Sequence, residues 1–260
     1  PLLVLAGPGS GKTRVITHRI AYLISLGVPA WQILALTFTN KAAAEMRERV
    51  GAMLGEGFMA GPGRGLTVTT FHSLCARLLR RFAETAREPA RLAIDGTFTI
   101  YDMSDQQSLM KRVLGEMDLS TSNWPPRSVL GRISAAKNEL MDVERFRAQA
   151  DDFAARTIAN VYENYQKALR RANAVDFDDL LVLTVRMLER APEVARAVRE
   201  RWRYLLIDEY QDTNHAQFIL STLLAPPTGA GAEAEPVPGM EDLEGEDDDA
   251  AAHGGPGEGV

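Results

Sequence analysis

The sequence predicts an α/β fold: a doubly wound parallel sheet interrupted by an inserted, mainly helical segment. Three observations predict it. Short continuous apolar runs alternate with stretches of helical periodicity from residue 2 to about 88; the alternation lapses between 89 and 175; it resumes at 176 with helices that lead to one more apolar run, Tyr204 to Ile207. Runs of this kind read as strands buried on both faces, and helical crossovers between them lay the strands parallel.

Leu2 to Ala6 is the first run, ended by glycines, and is expected to be a strand inside the sheet. A helix follows from Gly11, with Ile16, Ile20, Leu23 and Ile24 on one face, and stops at Gly27 ahead of Pro29. Ile33 to Thr37 is the second strand. Ala43, Met46, Val50, Met53 and Leu54 mark the inner face of the second helix, closed by the glycine-rich loop 55–65. Leu66 to Thr70 is the third strand, followed by a helix with Leu74, Leu78 and Phe82 inward and Arg77, Arg80 and Arg81 turned largely away. Within 89–175 only TFTIYD at 97–102 is β-prone; the rest is helical, including a long helix with Ile158, Val161, Tyr162, Tyr165 and Leu169 in register. Asp176, Asp178 and Asp179 read as the N-cap and acidic first turn of the next helix. A second, basic helix from Pro192 to Arg201 leads to Tyr204–Ile207, expected as another central strand.

With 260 residues, 45% of them apolar, the chain is large enough for a packed core. No apolar run approaches the roughly 18 residues of a membrane helix, so a cytoplasmic protein with no membrane partner is expected. The single cysteine, Cys75, excludes an internal disulfide and reads as a buried apolar residue. The net charge of −6 averages two unlike parts: residues 1–225 carry 29 Lys and Arg against 25 Asp and Glu, whereas 226–260 hold 10 acids and no Lys or Arg. The mildly positive body is compatible with a polyanionic partner. The acidic Gly/Pro-rich tail, 226–260, cannot bury enough apolar surface to offset the entropy of ordering it and is expected to be disordered.

Ala6 to Thr13 reads AGPGSGKT, which fits the phosphate-binding pattern GxxxxGK followed by Ser or Thr, with alanine in the first position. Its glycines let backbone N–H groups turn onto the β-phosphate, Lys12 reaches the β and γ phosphates, and the Thr13 hydroxyl ligates Mg²⁺. Ala6, Gly7, Pro8, Gly9, Ser10, Gly11, Lys12, Thr13 and Arg14 form the nucleotide-binding set. A strand before the loop and a helix after it make this the P-loop NTPase form of the fold. The second half of the chemistry lies in YLLIDEYQDTN, Tyr204 to Asn214, where an apolar strand delivers two carboxylates to its C-terminal edge. Asp208 can hold Mg²⁺, and Glu209 can orient or deprotonate an attacking water.

These stretches resemble the superfamily 1 DNA helicases of the UvrD/PcrA/Rep type. AGPGSGKT at 6–13, TFTNKAAAEM at 37–46, TTFHSL at 69–74 and LLIDEYQDTNHAQ at 205–217 carry the match, with VDFDDLL at 175–181 beside them. The resemblance implies a RecA-like motor domain over 1–88 and 176–225, with an inserted helical subdomain at 89–175. It implies an ATP- and Mg²⁺-dependent translocase that moves 3′ to 5′ on single-stranded DNA, acts at single-strand/duplex junctions in repair or replication, and senses the γ-phosphate through Gln211. It also implies a DNA-facing set: Thr37, Phe38, Thr39, Asn40 and Lys41, then Thr70, Phe71 and His72. Phe38 and Phe71 are placed to support bases and the polar residues to meet phosphates, although Phe38 also suits the core, Lys41 a solvated helix start and His72 a cap.

In the family an adenine-reading segment precedes the first strand, and a GDxxQ-type strand and a second RecA-like domain with γ-phosphate arginines follow. The chain is therefore expected to be a fragment of a longer helicase that turns over ATP barely at all by itself. Two other readings stand beside it: the motor subunit of a helicase-nuclease of the AddA/RecB type, and a nucleotide-binding module that never translocates. The intact set Lys12, Thr13, Asp208, Glu209 and Gln211 argues against the latter.

Overall fold

The computed structural model describes residues 2–4, 11–55, 57, 58, 61 and 63–225. The phosphate-loop residues Ala6–Ser10 and the acidic tail 226–260 lie outside the described residues. Elements run α1 (Lys12–Ser25), β1 (Ile33–Thr37), α2 (Asn40–Leu54), β2 (Thr67–Thr70), α3 (Phe71–Ala90), β3 (Thr99–Ile100) and α4 (Met103–Glu116). They continue as α5 (Pro126–Asn138), α6 (Val143–Ala148), α7 (Phe153–Arg171), β4 (Ala174–Val175), α8 (Phe177–Arg190), α9 (Pro192–Arg201), β5 (Tyr204–Ile207) and α10 (His215–Leu224).

The main sheet has the order β2-β1-β5, and both pairings are parallel, with Leu34 opposite Thr67 and Leu205. Every residue of β1 is buried, and its side chains alternate between two apolar clusters. Ile33 and Ala35 join Ile20 and Leu23 of α1 and Met46 and Val50 of α2. Leu34 and Leu36 join the other face, with Leu74 and Leu78 of α3, Leu181 and Val185 of α8, Val198 of α9 and Leu220 of α10. Helices thus cover both faces of a parallel sheet. The continuous apolar runs that predicted these strands owe their pattern to this double burial.

Two expectations about the sheet are corrected. Leu2–Val4 form no strand and are 86%, 63% and 52% exposed. β5 is an edge strand among the described residues, with Tyr204 exposed and Leu205–Ile207 half-buried. The two corrections share one cause, since a strand becomes central only by pairing on both sides, and among the described residues neither Leu2–Val4 nor the outer side of β5 finds a strand partner.

Between α3 and α8 the chain forms a separate apolar cluster, built from Leu109, Met110 and Val113 of α4, Ile133 of α5 and Ile158, Tyr162 and Tyr165 of α7. β3 pairs in parallel with β4, Thr99 opposite Ala174, so the segment enters and leaves side by side. α3 runs on to Ala90, slightly past the expected boundary at 88. Lys137 of α5, fully buried, fastens the segment to α8: its Nζ lies 2.6 Å from Asp176 Oδ2 and 2.8 Å from Asp179 Oδ1. Asp176 is the N-cap of α8 and forms a reciprocal capping box with Asp179. Cys75 is a free, buried thiol whose pKa burial pushes up to about 12. Among the described residues no helix is long and apolar enough to cross a membrane.

Candidate functional site

The ladder between β1 and β5 extends one residue past the strand, where the Asp208 N–H donates to the Leu36 carbonyl at 2.9 Å. This bond fixes Asp208 at the C-terminal edge of the sheet, where its carboxylate is buried. Asp208 Oδ2 accepts from the Thr13 hydroxyl at 3.1 Å, and Oδ1 accepts from the Glu209 N–H at 3.1 Å. Thr13 arrives from the other end of the chain at the start of α1. Gly11 caps that helix at φ 83°, ψ 32°, a left-handed conformation that glycine adopts without steric cost. Lys12 therefore stands in the first turn, where unpaired N–H groups and the positive end of the helix favour anions.

Lys12 Nζ lies 3.2 Å from Glu209 Oε2. Gln211 Nε2 donates to the same Glu209 oxygen and to Asp212 Oδ2 at 3.3 Å. Hydrogen bonds from Gln211 and then Lys12 hold the Glu209 carboxyl below its ordinary range, so it stays ionised through neutral pH. The side chains of Lys12 and Glu209 are 30% and 40% exposed, so solvent weakens the contact and it can exchange for another ligand.

The structure thus brings Lys12, Thr13, Asp208, Glu209 and Gln211 together. The remaining predicted nucleotide residues divide: Ala6–Ser10 are outside the described residues, and Arg14 is exposed, its Nε 3.2 Å from His18 Nε2. An ammonium at a helix N-terminus suits phosphate, and a hydroxyl beside a carboxylate suits a hard divalent cation. Among the described residues no group of three or more His, Cys, Asp or Glu could hold a metal alone. Mg²⁺ at this place would complete its shell with phosphate oxygens and water.

The predicted DNA-facing residues also divide. Phe38 is 36% exposed, its ring centroid 6.0 Å from Phe71, and Asn40 and Lys41 are exposed at the start of α2. Thr39 caps α2 by accepting from the Ala42 N–H at 3.1 Å. Phe71 is corrected: it is only 1% exposed and lies in the core with Leu74 and Leu78, because the first residue of α3 turns inward onto the sheet. It has no free face for a base. Thr37 and Thr70 are corrected likewise, both being buried; Thr37 donates to the Thr39 carbonyl at 3.0 Å, and Thr70 caps α3 by accepting from the Ser73 N–H at 3.2 Å. Their hydroxyls serve the turns after the strands. His72 is half-buried, and burial lowers its pKa, keeping the ring neutral at pH 7.

One aromatic escaped the sequence reading. Phe177, at the start of α8, is 48% exposed and meets His72 edge-on at 6.0 Å. Its spacing from Leu180 and Leu181 points to the core, so only the packing of α3 along α8 reveals an exposed ring beside His72.

The sequence profile of the UvrD/REP helicase N-terminal domain matches residues 1–230. Over 226 residues, 86% of the chain, it is 47% identical to the ATP-dependent DNA helicase PcrA of Leuconostoc citreum and 46% identical to that of Bacillus subtilis. The Staphylococcus aureus PcrA is 45% identical over the same length. The chain spans about 29% of the length of the first two relatives. The chain therefore belongs to the UvrD/REP helicase family, matching its N-terminal domain.

Proposed function

We propose that this chain is the first, RecA-like motor domain of an ATP-dependent DNA helicase that moves 3′ to 5′ on single-stranded DNA, with Mg²⁺-ATP bound where α1 meets β5. The observation that carries the proposal is the meeting of Lys12 and Thr13 with Asp208, Glu209 and Gln211. Lys12 leaves Glu209 to bind the β and γ phosphates. Thr13 and Asp208 hold Mg²⁺, which supplies Lewis-acid stabilisation of phosphate charge. Glu209, ionised and freed from Lys12, orients the attacking water and accepts its proton, and Gln211 beside it senses the γ-phosphate. Residues 1–88 and 176–225 form the motor domain and 89–175 the inserted subdomain, a division supported by the separate apolar cluster of the insert. The second RecA-like domain and its arginines belong to the remainder of the helicase.

Titration of Mg²⁺-ATP into the chain tests the nucleotide site. Lys12→Ala is expected to weaken binding by about 100-fold, the upper range for hydrogen bonds to a charged group, while circular dichroism stays unchanged. Unaltered affinity would remove the site.

Single-stranded DNA crosses the same edge of the sheet, against Phe38, Asn40, Lys41, His72 and Phe177. The exposed aromatic rings support this path, and His72, being neutral, contributes a hydrogen-bond donor rather than a charge. Phe38→Ala in the whole helicase is expected to cost about 1–3 kcal/mol of single-strand affinity, the value of one stacked base. Equal affinities in a fluorescence titration would assign Phe38 to packing alone.

A further inference from the structure

The six-residue stretch after Asp208, Glu209 to Asn214, is held at both ends. At its start Glu209 has φ 50°, ψ 41°, a left-handed conformation that a non-glycine residue keeps only where its surroundings over-determine it. Lys12, Gln211 and the side chain of Asp208 all hold Glu209. A tight turn at Tyr210–Asp212 follows, closed by the Thr213 hydroxyl donating to the Tyr210 carbonyl at 2.8 Å. At its far end Asn214 caps α10, its Oδ1 accepting from the Gln217 N–H at 2.9 Å. That leaves the Nδ2 of Asn214, which donates to Asn138 Oδ1.

Asn138 belongs to the inserted segment, as the last residue of α5. Its own Nδ2 donates to the Ser134 carbonyl at 3.0 Å and reaches Asp178 Oδ1 at 3.4 Å. The residue before it is Lys137, clamped by Asp176 and Asp179. Asn138 is thus a fixed point, and the turn that carries Glu209 and Gln211 hangs from it through one side-chain pair.

We infer that Asn138 is a positioning residue for the nucleotide site: through Asn214 it anchors the far end of the 209–214 turn, and this hydrogen bond carries nucleotide-dependent changes at Glu209 and Gln211 into helix α5. The inference rests on the nucleotide-binding reading above. Its physical basis is that phosphate drawing Lys12 away from Glu209, as proposed, removes one of the groups that hold the left-handed residue. The turn then readjusts against its remaining anchor, and the anchor stands in the inserted segment.

The test uses hydrogen exchange of the chain, with and without Mg²⁺ and a non-hydrolysable ATP analogue, and calorimetry of the same samples. In the unaltered chain nucleotide is expected to slow amide exchange both at 208–214 and at 134–138. In Asn138→Ala, and in Asn214→Ser, which keeps a helix cap but is too short to reach Asn138, the response at 208–214 persists. The response at 134–138 falls by about 3- to 10-fold, the range of one neutral hydrogen bond, and the double variant falls no further. A response at 134–138 that survives in either variant, or is missing from the unaltered chain that binds nucleotide, overturns the inference alone. Equal losses at both segments, tracking reduced urea stability, assign the pair a purely structural role and overturn it too. If the unaltered chain binds no nucleotide, calorimetry shows that directly, and the nucleotide-site reading falls first.

Discussion

Lys137→Ala is expected to destabilise the folded chain by about 3–5 kcal/mol, the cost of removing one partner from a buried ion pair. Lys137 is 1% exposed, and Asp176 and Asp179 are 2% and 4% exposed, so the deletion leaves two carboxylates out of water without their cation. The remaining donors cannot replace it: the Tyr165 hydroxyl reaches Asp176 Oδ2 at 3.1 Å and Gln166 Nε2 reaches Asp179 Oδ1 at 3.0 Å, but both are neutral. Burial alone would lower the Lys137 pKa, and the two carboxylates overcome it, so the net shift is upward. A raised lysine pKa means stability that is fully present below the unfolded value near ~10.4 and is lost only as pH rises through the folded value. The clamp is therefore closed at pH 7.

The pH dependence of the variant has the opposite sense. Burial and then Asp176 already raise the Asp179 pKa, and Lys137 opposes them. Without Lys137 the Asp179 pKa rises further, and a carboxyl whose folded pKa exceeds its unfolded value of about 3.9 loses stability as pH increases through the folded value. The deficit of Lys137→Ala should shrink toward acidic pH, where the Asp179 carboxyl takes up a proton. Lys137→Met, which keeps volume without charge, should be comparably unstable. Urea unfolding at pH 5 and pH 7 checks both statements; a loss below about 1 kcal/mol, with no pH dependence, would reduce the clamp to the worth of an exposed ion pair.

Glu209→Gln in the whole helicase is expected to slow ATP turnover by about 10²- to 10⁴-fold, the contribution of a positioned general base. Nucleotide affinity should be retained or rise. If Lys12 binds phosphate as proposed, Glu209 and phosphate compete for an ammonium that stands 3.2 Å from Glu209 Oε2. A carboxamide keeps the shape of the side chain and gives up the ion pair, leaving Lys12 to the phosphates. Single-turnover hydrolysis and calorimetry on one preparation separate the two effects. Turnover within about threefold of the unaltered enzyme would exclude Glu209 as the base, and affinity falling together with turnover would show that the Lys12–Glu209 contact supports binding rather than competing with it.

The fold was legible in the sequence wherever local pattern and tertiary burial agree. Ile33–Thr37 is apolar throughout because both sheet faces are covered, and its bounds match the strand. The α8 cap was legible because Asp176 and Asp179 serve each other at i and i+3. What local pattern cannot show is a partner distant in the chain. Nothing in the helical run ISAAKNEL marks Lys137 for burial, yet it is the cation that those two acids surround, 39 residues from Asp176. Leu2–Val4 fail for a related reason, because an apolar run predicts burial while pairing depends on the neighbour it finds. Phe71 and Phe38 each follow a strand directly, but Phe38 ends 36% exposed and Phe71 1% exposed. Phe71 already belongs to a helix facing the sheet, whereas Phe38 sits in the connection before its helix cap. At the candidate site, motif spacing singled out the pairs Lys12-Thr13 and Asp208-Glu209 separately. Their meeting comes from the parallel ladder that carries β5 one residue past its end onto Leu36.

A structure of the chain with Mg²⁺ and a non-hydrolysable ATP analogue shows whether one Mg²⁺-bound triphosphate occupies the space between α1 and the end of β5. The cation is expected against the Thr13 hydroxyl and the Asp208 carboxylate, with Lys12 turned from Glu209 to the phosphates. A nucleotide bound with the Lys12–Glu209 pair still closed, or bound away from Asp208, would contradict it.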